Sequence, residues 1–282
     1  MELHLSCTDF SFPLLAHDGA LAIIARLGLR GADIGLFEGH GHLKPGRELR
    51  KAGPNGTKLK RRLEGHGLKA ADIFLQSHTS FAELAINHPE IKKRAFARSQ
   101  FFRALDYATA AGADHLTILP GVAFEQESRD DSTWRSAESL AWRVAEAKSA
   151  GLRLAVEPHV GSLIDTPERA LDLVQRVPGL GLTLDYAHFT RAGIPDARIE
   201  PLAKFATHVH ARAARDGRLQ SSLKENTIDF PGLLAALRRN RFTGWIALEY
   251  VWIDWEHCNE VDIISESIQL KTLLETAAAK IK

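Results

Sequence analysis

Short apolar runs alternate along the chain with longer stretches in which apolar residues recur every three or four positions. The first kind reads as buried strand and the second as amphipathic helix. The strand-like runs are Leu3 to Thr8, Gly31 to Phe37, Leu68 to Gln76, His115 to Pro120, Leu152 to Glu157, Gly181 to Asp185, Phe205 to His210 and Trp245 to Tyr250, eight in all. Between them, RAFARSQFFRALDYATAAG (94–112) and SAESLAWRVAEAKSAG (136–151) each close on a glycine, which suits a helix C-terminus. DTPERALDLVQRV (165–177) opens another helix, with Thr166 before Pro167 and Glu168 in the first turn. A last helix is expected over Ile263 to Ala279. Eight β-α repeats in 282 residues predict one domain, 1–282, folded as an α/β single-domain (β/α)8 TIM barrel. An open doubly wound sheet is the alternative, but no G-x-G-x-x-G follows the first strand, and GHGHLKPG (39–46) matches no phosphate or dinucleotide loop.

Composition narrows the partners. With 45% hydrophobic residues the chain can bury a large core. Its 36 basic residues against 35 acidic ones leave a formal charge of +1, so no chain-wide field draws it to nucleic acid or an anionic membrane. A small-molecule partner is expected. The basic runs KRR (60–62) and RRNR (238–241) fall in helical stretches and read as solvated faces. Cys7 and Cys258 are far apart and outside any C-x-x-C pattern, which argues against a disulfide framework or a thiolate zinc site and suits a reducing compartment. MELHLSCTDF lacks a basic segment followed by an apolar one, and no run approaches the roughly 18 apolar residues that span a bilayer. A cytoplasmic location is expected, and a homo-oligomer is compatible with everything above.

In such a barrel, chemistry gathers at the C-terminal ends of the strands. Glu157 ends the fifth strand, with His159 two residues on; Asp185 ends the sixth, in LGLTLDYAHF (180–189), with His188 three on. The seventh carries His208 and His210, with Arg212 and Arg215 beyond, and the eighth ends in Glu249. An unpaired charge at the mouth of an apolar strand is costly, so each needs an ion-pair partner or a metal. One such residue alone reads as a structural polar group. Four on consecutive strands form a set, and three crowded carboxylates with one imidazole suit a divalent cation, Mn²⁺ first, with Mg²⁺, Co²⁺ or Zn²⁺ as alternatives. His78, after the third strand, is a candidate pocket donor, and Phe10, Phe12, Phe37 and Trp252 are candidates to wall a sugar-sized pocket. His40 and His42 sit in a loop, and Lys224 with Glu225 reads as a solvated pair.

The motifs VEPH (156–159), LDYAH (184–188), HVHA (208–211) and ALEY (247–250), in that order, resemble the xylose isomerase-like superfamily of TIM barrels, the sugar phosphate isomerases and epimerases. The similarity runs over essentially the whole chain. It implies that Glu157, Asp185, His210 and Glu249 ligate the metal, that His188 binds substrate oxygens, and that Glu157 and Glu249 double as catalytic acid and base. His159, His78, Arg212 and Trp252 complete the expected substrate contacts. The implied reaction is isomerisation or epimerisation of a sugar or keto-sugar, by proton abstraction α to a metal-bound carbonyl through an enediolate.

The sequence departs from parts of that family. Ketohexose epimerases carry a glutamate six residues after the first ligand, here Leu163, and an acidic residue and an arginine three and six after the ligand histidine, here Ala213 and Asp216. EPHVGSLIDT (157–166), with His159 and Ser162, looks more like dehydroshikimate and inosose dehydratases, so a lyase or dehydratase on a cyclic keto-sugar or keto-polyol is the alternative. Near-zero charge and few histidines on the early strands oppose the superfamily's DNA-repair endonuclease branch. The presence of both Glu157 and Glu249 opposes a catalytically dead binding barrel.

Overall fold

The computed structural model describes residues 3–281, so the outer bounds of the expected domain, 1 and 282, lie outside the described residues. Eight parallel strands close into a barrel in sequence order: β1 (Leu5–Thr8), β2 (Gly31–Phe37), β3 (Lys69–Gln76), β4 (His115–Ile118), β5 (Arg153–Val156), β6 (Gly181–Asp185), β7 (Ala206–Ala211) and β8 (Ile246–Leu248). Each falls on one apolar run: β2 and β6 match theirs residue for residue, β7 runs one residue past His210, and the others are trimmed at one or both ends. β4 stops at Ile118, short of Pro120, whose nitrogen has no hydrogen to give a ladder.

The helices are α1 (His17–Arg26), α2 (Pro45–Glu48), α3 (Ala52–Gly65), α4 (Ile91–Ala111), α5 (Arg129–Ser149), α6 (Pro167–Arg176), α7 (Tyr186–Thr190), α8 (Asp196–Ile199), α9 (Phe230–Arg239) and α10 (Ile263–Lys280). α4 ends where Gly112 takes φ 77°, a conformation that costs other residues a Cβ clash. α5 begins at Arg129 rather than Ser136, because the Ser128 side chain accepts from the Asp131 amide and Asp130 and Asp131 sit on the positive end of the helix dipole. Thr166 caps α6 in the same way, accepting from the Arg169 amide.

Leu21 and Ile24 of α1, Leu63 of α3, Leu140 of α5, Leu173 of α6 and Leu237 of α9 are fully buried in the apolar core. The barrel interior is less uniform. Aliphatic side chains usually fill it, but here Ser6 Oγ donates to Asp33 Oδ1 at 2.7 Å, and His208 Nε2 of β7 reaches Asp33 Oδ2 of β2 at 2.5 Å. His115 pairs with Asp72 at 2.7 Å, and Thr117 meets Thr183 at 2.6 Å. Burial works against the Asp33 charge, but His208 and His210 hold its carboxyl far below the ordinary range. At the upper end the register sets Asp185 beside His210 and His210 beside Ala247, two residues short of Glu249. Among the described residues no helix is long and apolar enough to cross a membrane.

Candidate active site

Glu157 stands one residue past β5 and Glu249 one past β8, Asp185 closes β6, and His210 lies in β7. All four are buried. Their donor atoms form two overlapping groups, Glu157–His210–Glu249 and Glu157–Asp185–His188, each within 4.8 Å. His210 Nδ1 is 2.6 Å from Glu157 Oε1 and 3.4 Å from Glu249 Oε2. Asp185 is turned to other partners: Oδ1 accepts from the Ala187 amide at 2.8 Å, capping α7, and Oδ2 accepts from Arg212 at 2.6 Å. The same guanidinium lies 3.1 Å from Glu249 Oε2 and 3.2 Å from His188 Nε2. Arg212 therefore places a fixed cation among the carboxylates, whereas Arg215 stays outside, 3.6 Å from Glu225.

Each charge state has a local cause. Burial pushes the Glu249 carboxyl up to about 8, with Arg212 and His210 pulling the other way. Burial also opposes a charged His210, but the Glu249 and Glu157 carboxylates hold its imidazole well above the ordinary value. Burial, and then the Arg212 charge, keeps His188 well below it. His188 Nδ1 accepts from the Val160 amide at 3.3 Å. His159 is also lowered by burial; its Nδ1 donates to the Val160 carbonyl at 2.8 Å, which leaves Nε2 an acceptor with no protein partner. Ser162 accepts from the His159 amide, so this hydroxyl shapes the turn.

The residues fit a hard or borderline divalent ion. Three buried carboxylates face one guanidinium and one imidazole, and neither Glu249 Oε2 nor His210 Nε2 has a hydrogen-bond partner of good geometry. A dication bound there would take the place of the His210 proton and draw Glu249 into its ionised form, and oxygen donors with one nitrogen suit it.

A cavity of about 420 Å³ opens over this cluster. Glu157, His159, His188, Arg212 and Glu249 form its polar wall, while Asp185 and His210 do not line it. Phe10, Phe37, Phe74, Phe81 and Trp255 form the aromatic wall, and His40 also reaches it. Phe12 packs into the core. Trp252 is 38% exposed and does not line the cavity. Its place falls to Trp255, whose ring lies 6.4 Å from that of His188. The chain turns there through Glu256 and His257, both at positive φ, and Glu256 clamps Arg191. No periodicity announces that turn. His78 does not line the cavity; it lines an adjoining recess of about 50 Å³ that shares Gln76, Phe81 and Leu119 with the cavity, and it accepts from the Ser80 amide at 3.0 Å. Phe74 was legible in principle, because it shares the inward alternation of β3 with Asp72 and Gln76.

The family model described as Xylose isomerase-like TIM barrel matches residues 21–273. The rhizopine catabolism protein MocC of Rhizobium meliloti is 28% identical, over 72% of this chain and 72% of its own. The structure of D-psicose 3-epimerase with D-tagatose from Clostridium cellulolyticum H10 superimposes with a TM-score of 0.75 at 14% identity, covering 98% of this chain and 99% of that one. The IolI protein with a binding zinc atom gives 0.72 at 16% identity, covering 99% of both. At these identities the two structural likenesses establish a shared barrel.

Proposed function

The chain belongs to the xylose isomerase-like TIM barrel family and is an enzyme, and from that premise we propose a divalent-metal-dependent isomerase or epimerase of a sugar or keto-sugar. One observation carries the reading: Glu157 and Glu249 both reach the wall of one aromatic-lined cavity, with Asp185 and His210 directly behind them. Glu157, Asp185, His210 and Glu249 would hold the ion, which when bound supplies Lewis-acid polarisation of a substrate carbonyl. Mn²⁺ is the preferred occupant on donor chemistry, with Mg²⁺, Co²⁺ and Zn²⁺ in the same range. One of the two carboxyls takes the proton from the carbon beside that carbonyl and the other returns one. Return to the opposite face of the same carbon gives an epimer, and return to the neighbouring carbon gives an isomer.

Arg212, held in place by Asp185, offers a fixed donor to substrate oxygens, His188 contacts them as a neutral ring, and His159 Nε2 accepts from a hydroxyl. The aromatic wall packs on the apolar face of a sugar and excludes water. That enclosure, together with the His159–Ser162 turn, favours a second reading: a lyase on a ring-shaped keto-polyol, in which the same carboxyls remove the proton and protonate a departing β-hydroxyl. The partner in either case is a small carbohydrate rather than nucleic acid or a membrane, in the cytoplasm.

Metal content by mass spectrometry tests the site. The wild type is expected to hold near one equivalent, lost in Asp185→Asn and His210→Ala. No metal after reconstitution, with both variants folded and unchanged, would sink the metal reading. Turnover of keto-sugars in D₂O then separates the reactions: deuterated product of conserved composition is expected, and a product short of one water establishes the lyase.

A further inference from the structure

A second cavity, about 250 Å³, lies between the β2–α2 loop and helices α1, α2, α3 and α4, and shares no lining residue with the catalytic one. Lys44, Arg47, Lys58 and Arg62 line it against a single carboxylate, Glu48. None of these four cations makes an ion pair among the described residues; Lys44 and Arg62 are half-buried, and Arg47 and Lys58 stand at the exposed rim. Arg62 instead stands 2.8 Å from His17 Nδ1, and the His17 and His42 rings stack at 5.2 Å. The back wall holds Tyr107, 0% exposed, whose hydroxyl has no hydrogen-bond partner. Burial and the neighbouring Glu48 and Asp9 charges push that phenol far up, so it stays a donor at any working pH.

Four unpaired like charges around one recess repel one another, and a buried hydroxyl without a partner is left desolvated with no bond in return. A bound anion relieves both. The chain's formal charge is only +1, so this concentration of positive charge is local rather than a share of a general surplus. The donors arrive from several sides: Lys44 precedes α2, Arg47 lies in it, Lys58 and Arg62 come from α3, and Tyr107 comes from α4. A planar carboxylate answers donors in one plane, whereas a tetrahedral oxyanion presents oxygens in all these directions.

We propose that this cavity is a separate binding site for a phosphate or phosphomonoester group, held by Lys44, Arg47, Lys58 and Arg62 with the Tyr107 hydroxyl as a further donor. It abuts the catalytic wall without joining it. His42 Nε2 donates to the Asp9 carbonyl at 3.1 Å and His17 Nε2 stands 3.1 Å from Asp9 Oδ2, one residue before Phe10 of the aromatic wall.

Calorimetric titration of the full-length protein with inorganic phosphate, with glycerol 1-phosphate and with acetate tests the site, in phosphate-free buffer at constant ionic strength set with NaCl. Both phosphates are expected to bind with one equivalent, and acetate not to saturate. Arg47→Glu with Lys58→Glu, both on exposed residues that folding does not need, is expected to weaken phosphate by at least about tenfold. Tyr107→Phe removes only the hydroxyl and is expected to weaken it by less. Lys148→Glu with Arg238→Glu, exposed cations that do not line the cavity, is expected to leave it unchanged. No saturable phosphate binding in the wild type, full binding in the Arg47/Lys58 variant, equal loss in the control pair, or acetate binding as tightly as phosphate would each overturn the assignment.

Discussion

Among single residues, Arg212 does most to set the character of the carboxylate cluster. Its guanidinium is buried between Asp185 and Glu249, so removing it leaves two buried carboxylates without their nearest cation. Arg212→Ala is therefore expected to cost about 3–5 kcal/mol, read from urea unfolding of the metal-free protein; a loss under 1 kcal/mol would show that the pair is solvated. Glu249→Gln keeps the shape and removes the carboxylate. It is expected to lower kcat by about 10²–10⁴-fold with an unchanged circular dichroism spectrum, and near-normal turnover would take Glu249 out of the proton transfer. Glu157, Asp185, His210 and Glu249 were legible because each is a polar residue closing an apolar run. Arg212 stood out less. The spacing of HARAAR (210–215) gives little ground for expecting Arg212 rather than Arg215 at the site, and the fold turns Arg212 inward and Arg215 out.

At the scale of elements, capping chemistry explains both the agreements and the one large boundary shift. Thr166 and Pro167 announce α6 in the sequence, and the Thr166 side chain does accept from the Arg169 amide. Thr166→Ala is expected to destabilise the protein by about 1 kcal/mol, measured as a shift of the urea midpoint at constant slope. α5 runs back to Arg129 because Ser128 caps it, a weaker signal in the sequence than the apolar period that starts later. The segment after β8 shows the opposite limit. Trp252 and Trp255 sit in one short loop, and two positive-φ residues with the Arg191–Glu256 clamp decide which of them faces His188.

For the whole molecule, barrel closure brings together residues that no local pattern relates. Asp33 and His208 meet across the interior, and the basic cavity assembles from a loop and four helices. The two thiols report on the same packing. Burial pushes Cys7 up to about 12 and Cys258 up to about 11 from an ordinary 9.0. Neither is expected to react with a thiol reagent at pH 8 until the chain unfolds. A thiol harder to ionise in the fold than in the open chain takes nothing from stability below pH 9 and withdraws it as the pH climbs through about 12. Wild-type stability is accordingly expected to fall more steeply over pH 9 to 12 than that of Cys7→Ala, and parallel curves would show that the thiol ionises freely.

The sequence by itself determined the eight strands, their order, the helices between them and the polar residues that close strands five to eight. These follow from local spacing, capping and the cost of leaving charge at the end of an apolar run, all properties of neighbours along the chain. Tertiary structure alone decided that Arg212 joins the carboxylates, that Trp255 rather than Trp252 walls the cavity, that His78 falls in the adjoining recess, and that four cations from α2, α3 and the loop before them share one recess. Those outcomes depend on the direction each side chain takes once the barrel closes, and closure is set by pairing between strands far apart in sequence.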